Sequence, residues 1–250
     1  MKEKKIKTAL LIAVLLFIVP PNMARADSWQ TLDKGLEYQT IPLNTPQTGI
    51  NTRLHVLKIN LNKLVIKPVY SSTNLSAKNL AIKSGALAVI NANFFDETGK
   101  VLGLVKKDGA VINPKKNISW WSVLCFRNNK AEIIQSSHVK EGYCHQAFQA
   151  GPRLVAGGTL TKLKDEFSQK TAAGINNRGD LLLAVSEGAI PIKKLAEIFS
   201  KKEKNGGLEC PYALNLDGGS SSQMFIKSEK LNLYIPNYVK IPVGLGVFKK

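Results

Sequence analysis

Three glycine-marked stretches carry the side chains best suited to chemistry. Leu216-Asp217-Gly218-Gly219-Ser220-Ser221-Ser222 runs an apolar segment into a carboxylate, two glycines and three hydroxyls. Glycine admits positive φ, so successive backbone N–H groups of Gly218 and Gly219 can converge on an anion. Asp217 would stand at the mouth, and Ser221 would add a donor. Ala184-Val185-Ser186-Glu187-Gly188 closes a second apolar segment on a carboxylate. In Asn91-Ala92-Asn93-Phe94-Phe95-Asp96, Asn91 and Asn93 are two residues apart, so in a strand they share a face. Paired amides of that kind hydrogen-bond sugar hydroxyls or phosphate oxygens. Two cations adjoin further glycines: Arg153 after Gly151-Pro152, and Lys170 before Thr171-Ala172-Ala173-Gly174. Asn215 precedes the Asp217 turn. Such a set suits an anionic, hydroxyl-rich ligand worked on by a carboxylate. Each stretch also has a plainer reading, as an Asp-Gly turn, an asparagine cap or a solvated strand end.

Metal and cofactor chemistry find no foothold in these residues. The three histidines, His55, His138 and His145, are scattered, and no C-x-x-C or H-x-x-H spacing occurs. No metal site and no cofactor are expected. Cys125, Cys144 and Cys210 allow at most one intrachain disulfide, and three pairings stay open.

The elements that must hold these groups are mostly short strands. Apolar or β-branched runs at residues 55–61, 64–70, 86–95, 122–126, 131–135, 171–175, 181–185, 212–216, 223–226 and 243–248 predict strands. Asn128-Asn129 and residues 176–180 predict hairpin turns. A helix is predicted over 77–83, with Ser76 as N-cap and Gly85 as stop. A second starts at Pro191, with Ile192, Leu195, Ala196 and Phe199 on one face, and ends before Asn205-Gly206-Gly207. Many strands, few helices and no regular β–α alternation predict an α+β fold, a single domain of packed antiparallel or mixed sheets.

The chain begins with the pattern of an export signal. A basic segment, Lys2 to Lys7, precedes an apolar run of about a dozen residues, which Pro20-Pro21 ends. Ala24-Arg25-Ala26 offers a small-x-small cleavage site, so residues 1–26 read as a signal peptide and 27–250 as the mature domain, starting at Asp27. The apolar run falls short of the roughly 20 residues that cross a bilayer, and the mature chain has no transmembrane segment by this reading. The expected location is the periplasm or the extracellular space. Residues 27–250 hold 30 Lys and Arg against 17 Asp and Glu, a charge of +13. That favours an anionic partner. Nucleic acid is not expected, because no basic stretch is interleaved with aromatics and export separates the chain from it.

In order and character these stretches resemble the phosphodiester glycosidase family. The likeness runs through Asn91-Ala92-Asn93-Phe94-Phe95-Asp96, residues 103–109, Ala150-Gly151-Pro152, residues 170–175 and 181–188, and Ala213-Leu214-Asn215-Leu216-Asp217-Gly218-Gly219-Ser220-Ser221-Ser222. It spans roughly residues 54–248, and the last motif is the most specific. Two departures stand out. The family usually has Asn-Gly-Gly-Phe-Phe where this chain has Asn-Ala-Asn-Phe-Phe, and arginine where it has Lys170, which cannot grip phosphate bidentately.

The resemblance implies an exported hydrolase cleaving the glycosidic C–O bond of a sugar-1-phosphodiester in an envelope or extracellular glycan. Asp217 and Glu187 would be the catalytic carboxylates. Asn91, Asn93, Arg153, Lys170, Asn215, Gly218, Gly219 and Ser221 would bind an anionic carbohydrate or phosphoglycan. Bacterial relatives associated with exopolysaccharide suggest the alternative, a non-catalytic glycan-binding or polymer-assembly protein of the cell envelope.

Overall fold

The computed structural model describes residues 28–45 and 49–250. The predicted signal peptide and its cleavage site lie outside the described residues. The described chain is α+β, as its patterning predicts: three sheets of five or more strands, a two-stranded ribbon and two α-helices. All the strand pairs are antiparallel.

The largest sheet runs in space Gln30–Asp33, Leu36–Thr45, Ile50–Ile59, Leu181–Ser186, Thr171–Ile175, Tyr212–Asn215, Arg153–Ala156 and Thr159–Leu160. A second runs Ala110–Asn113, Val105–Lys107, Gln146–Ala150, Ser122–Arg127 and Lys130–Gln135. The third runs Asn232–Ile235, Met224–Lys227, Ala88–Asn91, Ile241–Lys249 and Leu64–Leu75. Their inner faces meet in one core, to which Leu57, Leu183 and Leu214, Leu124 and Phe148, and Ile90 and Leu245 contribute from the three sheets in turn.

Alternation decides which side each residue serves. Along Leu181–Ser186, Leu181, Leu183 and Val185 enter that core, whereas Leu182 and Ala184 face a second cluster under a helix. This explains why the segment reads as continuously apolar: both its faces are covered. The covering helix, α2 (Ile192–Ser200), sets Leu195, Ala196 and Phe199 on the large sheet. Pro191 stands at its cap position rather than inside the helix, one residue from the predicted start. The other helix, α1 (Ala77–Ser84), covers the third sheet through Leu80 and Ala81. Its predicted caps are present: Ser76 Oγ accepts from the Asn79 N–H, and Gly85 is left-handed. Gly174 permits the close seating of α2, because a Cβ there would lie 2.6 Å from the Phe199 ring and 2.9 Å from Cys210 Sγ.

Within the predicted strand 86–95, only Ala88–Asn91 joins the sheet; the remainder becomes the loop carrying Asn93 and Phe94. Cys125 and Cys144 form the one disulfide among the described residues, and Cys210 is free and buried under α2. The bridge ties strand Ser122–Arg127 to the loop ahead of its neighbour Gln146–Ala150.

Candidate active site

The predicted stretches come from distant parts of the chain, yet hydrogen bonds lash them into one loop cluster at the strand ends. Asn91, almost fully buried at the end of its strand, donates from Nδ2 to the Asp217 carbonyl at 2.6 Å. Its Oδ1 accepts from Thr171 Oγ1 at 2.8 Å and from the Gln223 N–H at 3.0 Å. The Asp217 N–H donates to the Ala92 carbonyl, and the Leu216 N–H to that of Thr171. Asn91 therefore joins three loops, and its oxygen is engaged inside the fold.

Asp217 occupies the centre of this cluster. Burial pushes its carboxyl up from the ordinary 3.8 to about 6, although the Ser221 hydroxyl and the Gly218 N–H both favour the charged form. A carboxyl so placed exchanges a proton near neutrality, as an acid–base group must. The glycines do not form the anion nest that their sequence suggests. The Gly218 N–H serves Asp217, the Gly219 N–H donates to the Gln169 carbonyl, and those of Ser221 and Ser222 close the short 3-10 turn Gly219–Ser221. The donors are consumed in fixing the carboxylate and the turn that carries it.

Glu187 belongs to a different network. His55 Nε2 lies 2.8 Å from Glu187 Oε1, and its Nδ1 lies 2.7 Å from the Tyr38 hydroxyl. His55 is buried while the Glu187 side chain is half-exposed. Burial holds the imidazole below its ordinary 6.5 despite the carboxylate beside it. Gln169 connects the two carboxylate loops: Nε2 donates to the Glu187 carbonyl, and the Gln169 carbonyl receives the Gly219 N–H. Asn237 secures the same joint, donating to Gln169 Oε1 and to the carbonyls of Gly219 and Ser222. Neither Gln169 nor Asn237 stands out in the sequence, because each works only across loops.

The two cations are placed differently. Lys170 is buried, and its ammonium donates to Glu166 and, at 2.9 Å, to Ser168 Oγ, so its charge is already met. Arg153 is half-buried and, among the described residues, its guanidinium has no carboxylate partner. It is the freer of the two cations.

Asn93 and Asn215 flank the Gly151-Pro152 corner. Asn93 Nδ2 donates to the carbonyls of Gln149 and Leu104, and Asn215 Nδ2 to those of Gly151 and Leu216. The Oδ1 of each is buried and lacks a protein partner, as does Trp121 Nε1. Trp121 stacks on Phe94 at 5.2 Å and meets Trp120 edge-on at 5.8 Å. It also packs so tightly on Gly151 that a Cβ there would lie 2.8 Å from Cδ1. Trp120 leaves its indole 56% exposed, an open aromatic face beside these loops. Among the described residues, no cluster of three or more His, Cys, Asp and Glu side chains is arranged to hold a metal ion.

The fold and site define an α+β protein of antiparallel sheets with a carboxyl of raised pKa on a glycine turn. The phosphodiester glycosidase family matches residues 84–248, and the chain belongs to that family. The matched span includes Asp217, Glu187, Arg153 and every predicted binding residue, but not Tyr38 or His55. Among solved structures, the catalytic domain of zebrafish N-acetylglucosamine-1-phosphodiester alpha-N-acetylglucosaminidase, auto-inhibited by its pro-peptide, is similar with a TM-score of 0.66 and 16% identity, covering 90% of this chain and 89% of that one. A hypothetical protein from Synechocystis is similar with a TM-score of 0.60 and 14% identity. There the match covers 86% of this chain but only 62% of the other. At these identities the likeness establishes the fold. No curated protein matches in sequence.

Proposed function

We propose that this chain is an exported hydrolase that cleaves the glycosidic C–O bond of a sugar-1-phosphodiester in an envelope or extracellular glycan. The observation that carries the reading is Asp217, a half-buried carboxyl pushed up to about 6 on the Gly-Gly turn of the family's span. Breaking the C–O bond expels a phosphomonoester, whose second pKa is about 6. Such a group leaves with little help from a general acid. What remains is to activate water, or to stabilise positive charge on the sugar ring, and both are work for an ionised carboxylate. Asp217 is the group proposed for it, with Glu187 second. Arg153 would meet the phosphate, and phosphate in turn would meet an unpaired guanidinium. Asn93 and Asn215 hold the corner beside the sugar, and Trp120 offers a face for a pyranose ring.

One structural feature supports export. The Cys125–Cys144 disulfide fits an oxidising compartment. Among the described residues, no helix is long and apolar enough to cross a membrane. The test of the function is direct. Purified residues 27–250 are incubated with sugar-1-phosphodiesters of several sugars, and free reducing sugar is measured. Release by the wild type that Asp217→Asn abolishes supports the reading. Binding of envelope glycans with no release from any diester would replace it with the binding-protein alternative.

A further inference from the structure

Lys106 raises a question that the Asp217 site does not answer. It lies on strand Val105–Lys107, opposite Ala147, and is only 8% exposed. Among the described residues its ammonium has no hydrogen bond or ion pair. The contrast with Lys170, also buried, is direct: that ammonium has Glu166 and Ser168. Neighbours cover the side chain while the ammonium keeps access to solvent and faces no acceptor, so an anion beside it would gain a charge-assisted hydrogen bond.

Lys106 lines a cavity of about 450 Å³, together with Arg127, Lys130, His145, Asn129 and Tyr143. None of the lining residues is an aspartate or glutamate, and none belongs to the Asp217 cluster. Local geometry concentrates the charge. Asn128 and Asn129 both take left-handed backbone and make the tight turn predicted for this hairpin. That turn sets Arg127 directly opposite Lys130 in the antiparallel register. Like charges opposed across a strand pair are destabilising unless something joins them. Arg127 lies over the Tyr143 ring at 4.9 Å, which orients the guanidinium without neutralising it. Lys250 adds a further charge at the rim, donating to Asn129 Oδ1 at 2.8 Å and to the Leu61 carbonyl at 2.7 Å, both neutral acceptors. Two carboxylates that touch the lining residues are already engaged: Asp108 with Gln146 and Lys67, and Glu132 with the Tyr143 hydroxyl.

We propose that this cavity is a second binding site, for an oxyanion of the phosphate class, separate from the Asp217 mouth. Ammonium and guanidinium groups without carboxylate partners suit phosphate oxygens, and the volume accommodates a phosphate with one attached sugar ring. On an exported protein, such a site would hold a phosphate-bearing polymer or free phosphate away from the reacting bond.

The test uses residues 27–250 labelled for amide NMR and titrated with inorganic phosphate, with glucose 1-phosphate and with neutral glucose. Either phosphate probe should shift the amides of Lys106, Arg127, Lys130 and His145, and glucose should not. Lys106→Met should weaken that binding at least tenfold. Arg127→Gln, at an exposed position that does not threaten the fold, should weaken it several-fold. Equal affinity for both probes would assign the site to phosphate alone, and tighter glucose 1-phosphate binding would assign it to a sugar phosphate; both outcomes support the proposal. Shifts confined to residues 217–222, no binding of either probe, or binding unchanged in both variants would overturn it. Because the readout is local to the cavity, it stands whether or not the chain hydrolyses a sugar-1-phosphodiester.

Discussion

Asp217→Asn separates the chemistry of the site from its stability. Moving a carboxyl from 3.8 to about 6 means that the ionised form is disfavoured in the folded protein by about 3 kcal/mol. Asparagine removes the charge and keeps the shape. Its extra N–H group needs partners in a partly buried place, which offsets part of the gain. The expected net effect at pH 7.5 is a stabilisation of about 1–2 kcal/mol, or a Tm rise of about 2–6 °C for a chain of this size. The sign with pH follows from linkage. A carboxyl whose folded pKa is raised lends stability that is complete below 3.8 and is lost as pH rises through about 6. The advantage of Asp217→Asn should therefore be full above pH 6 and vanish below 3.8. Turnover should move the opposite way, falling by about 10²-fold or more for a group that takes a proton or faces a developing charge. In the wild type, kcat/KM should rise through about pH 6, and the variant should lose that inflection. The assay pairs thermal melts from pH 3.5 to 8 with reducing-sugar release. A variant that turns over normally, or one destabilised equally at every pH, would refute the reasoning.

Gly174→Ala should destabilise by about 1–3 kcal/mol, because its Cβ would meet the Phe199 ring at 2.6 Å; a denaturant melt shifting less than 0.5 kcal/mol would contradict this packing of α2. Thiol titration of the unreduced, denatured protein should find one thiol, Cys210, and reduction of Cys125–Cys144 should lower stability by about 3 kcal/mol for a bridge spanning 19 residues. Arg153→Ala should raise KM for a sugar-1-phosphodiester about tenfold or more with a smaller change in kcat, whereas Lys170→Ala should show mainly as lost thermal stability, because its ammonium is already paired with Glu166. Mass spectrometry of protein recovered from outside the cytoplasm should show Asp27 as the first residue; a mature chain that keeps residues 10–19 would overturn the cleavage site.

The sequence by itself determined what depends on near neighbours. The period of two along residues 55–61, the apolar run 181–185, the Ser76 and Gly85 caps of α1 and the Asn128-Asn129 turn are all local, so each appears where its pattern places it. Strand Leu36–Thr45 escaped because Gln39 and Thr40 interrupt its apolar alternation, and only a neighbouring strand makes it part of the sheet. The chemistry-bearing stretches were legible too, since glycines, asparagines and carboxylates collect at strand ends. Their roles were not. Asn91 turns to the Asp217 carbonyl 126 residues away, and Glu187 meets His55 across 132. The Gly218 N–H serves Asp217 rather than a ligand, and Lys170 is met by Glu166 while Lys106 is left alone. The choice among three cysteine pairings also waited for the fold, which brings Cys125 and Cys144 to a Cα separation of 5.4 Å. The physical reason is common to all of these. Periodicity and turn chemistry act between residues a few positions apart, whereas burial, desolvation and the partner of each polar atom are set by segments that meet only when the sheets pack.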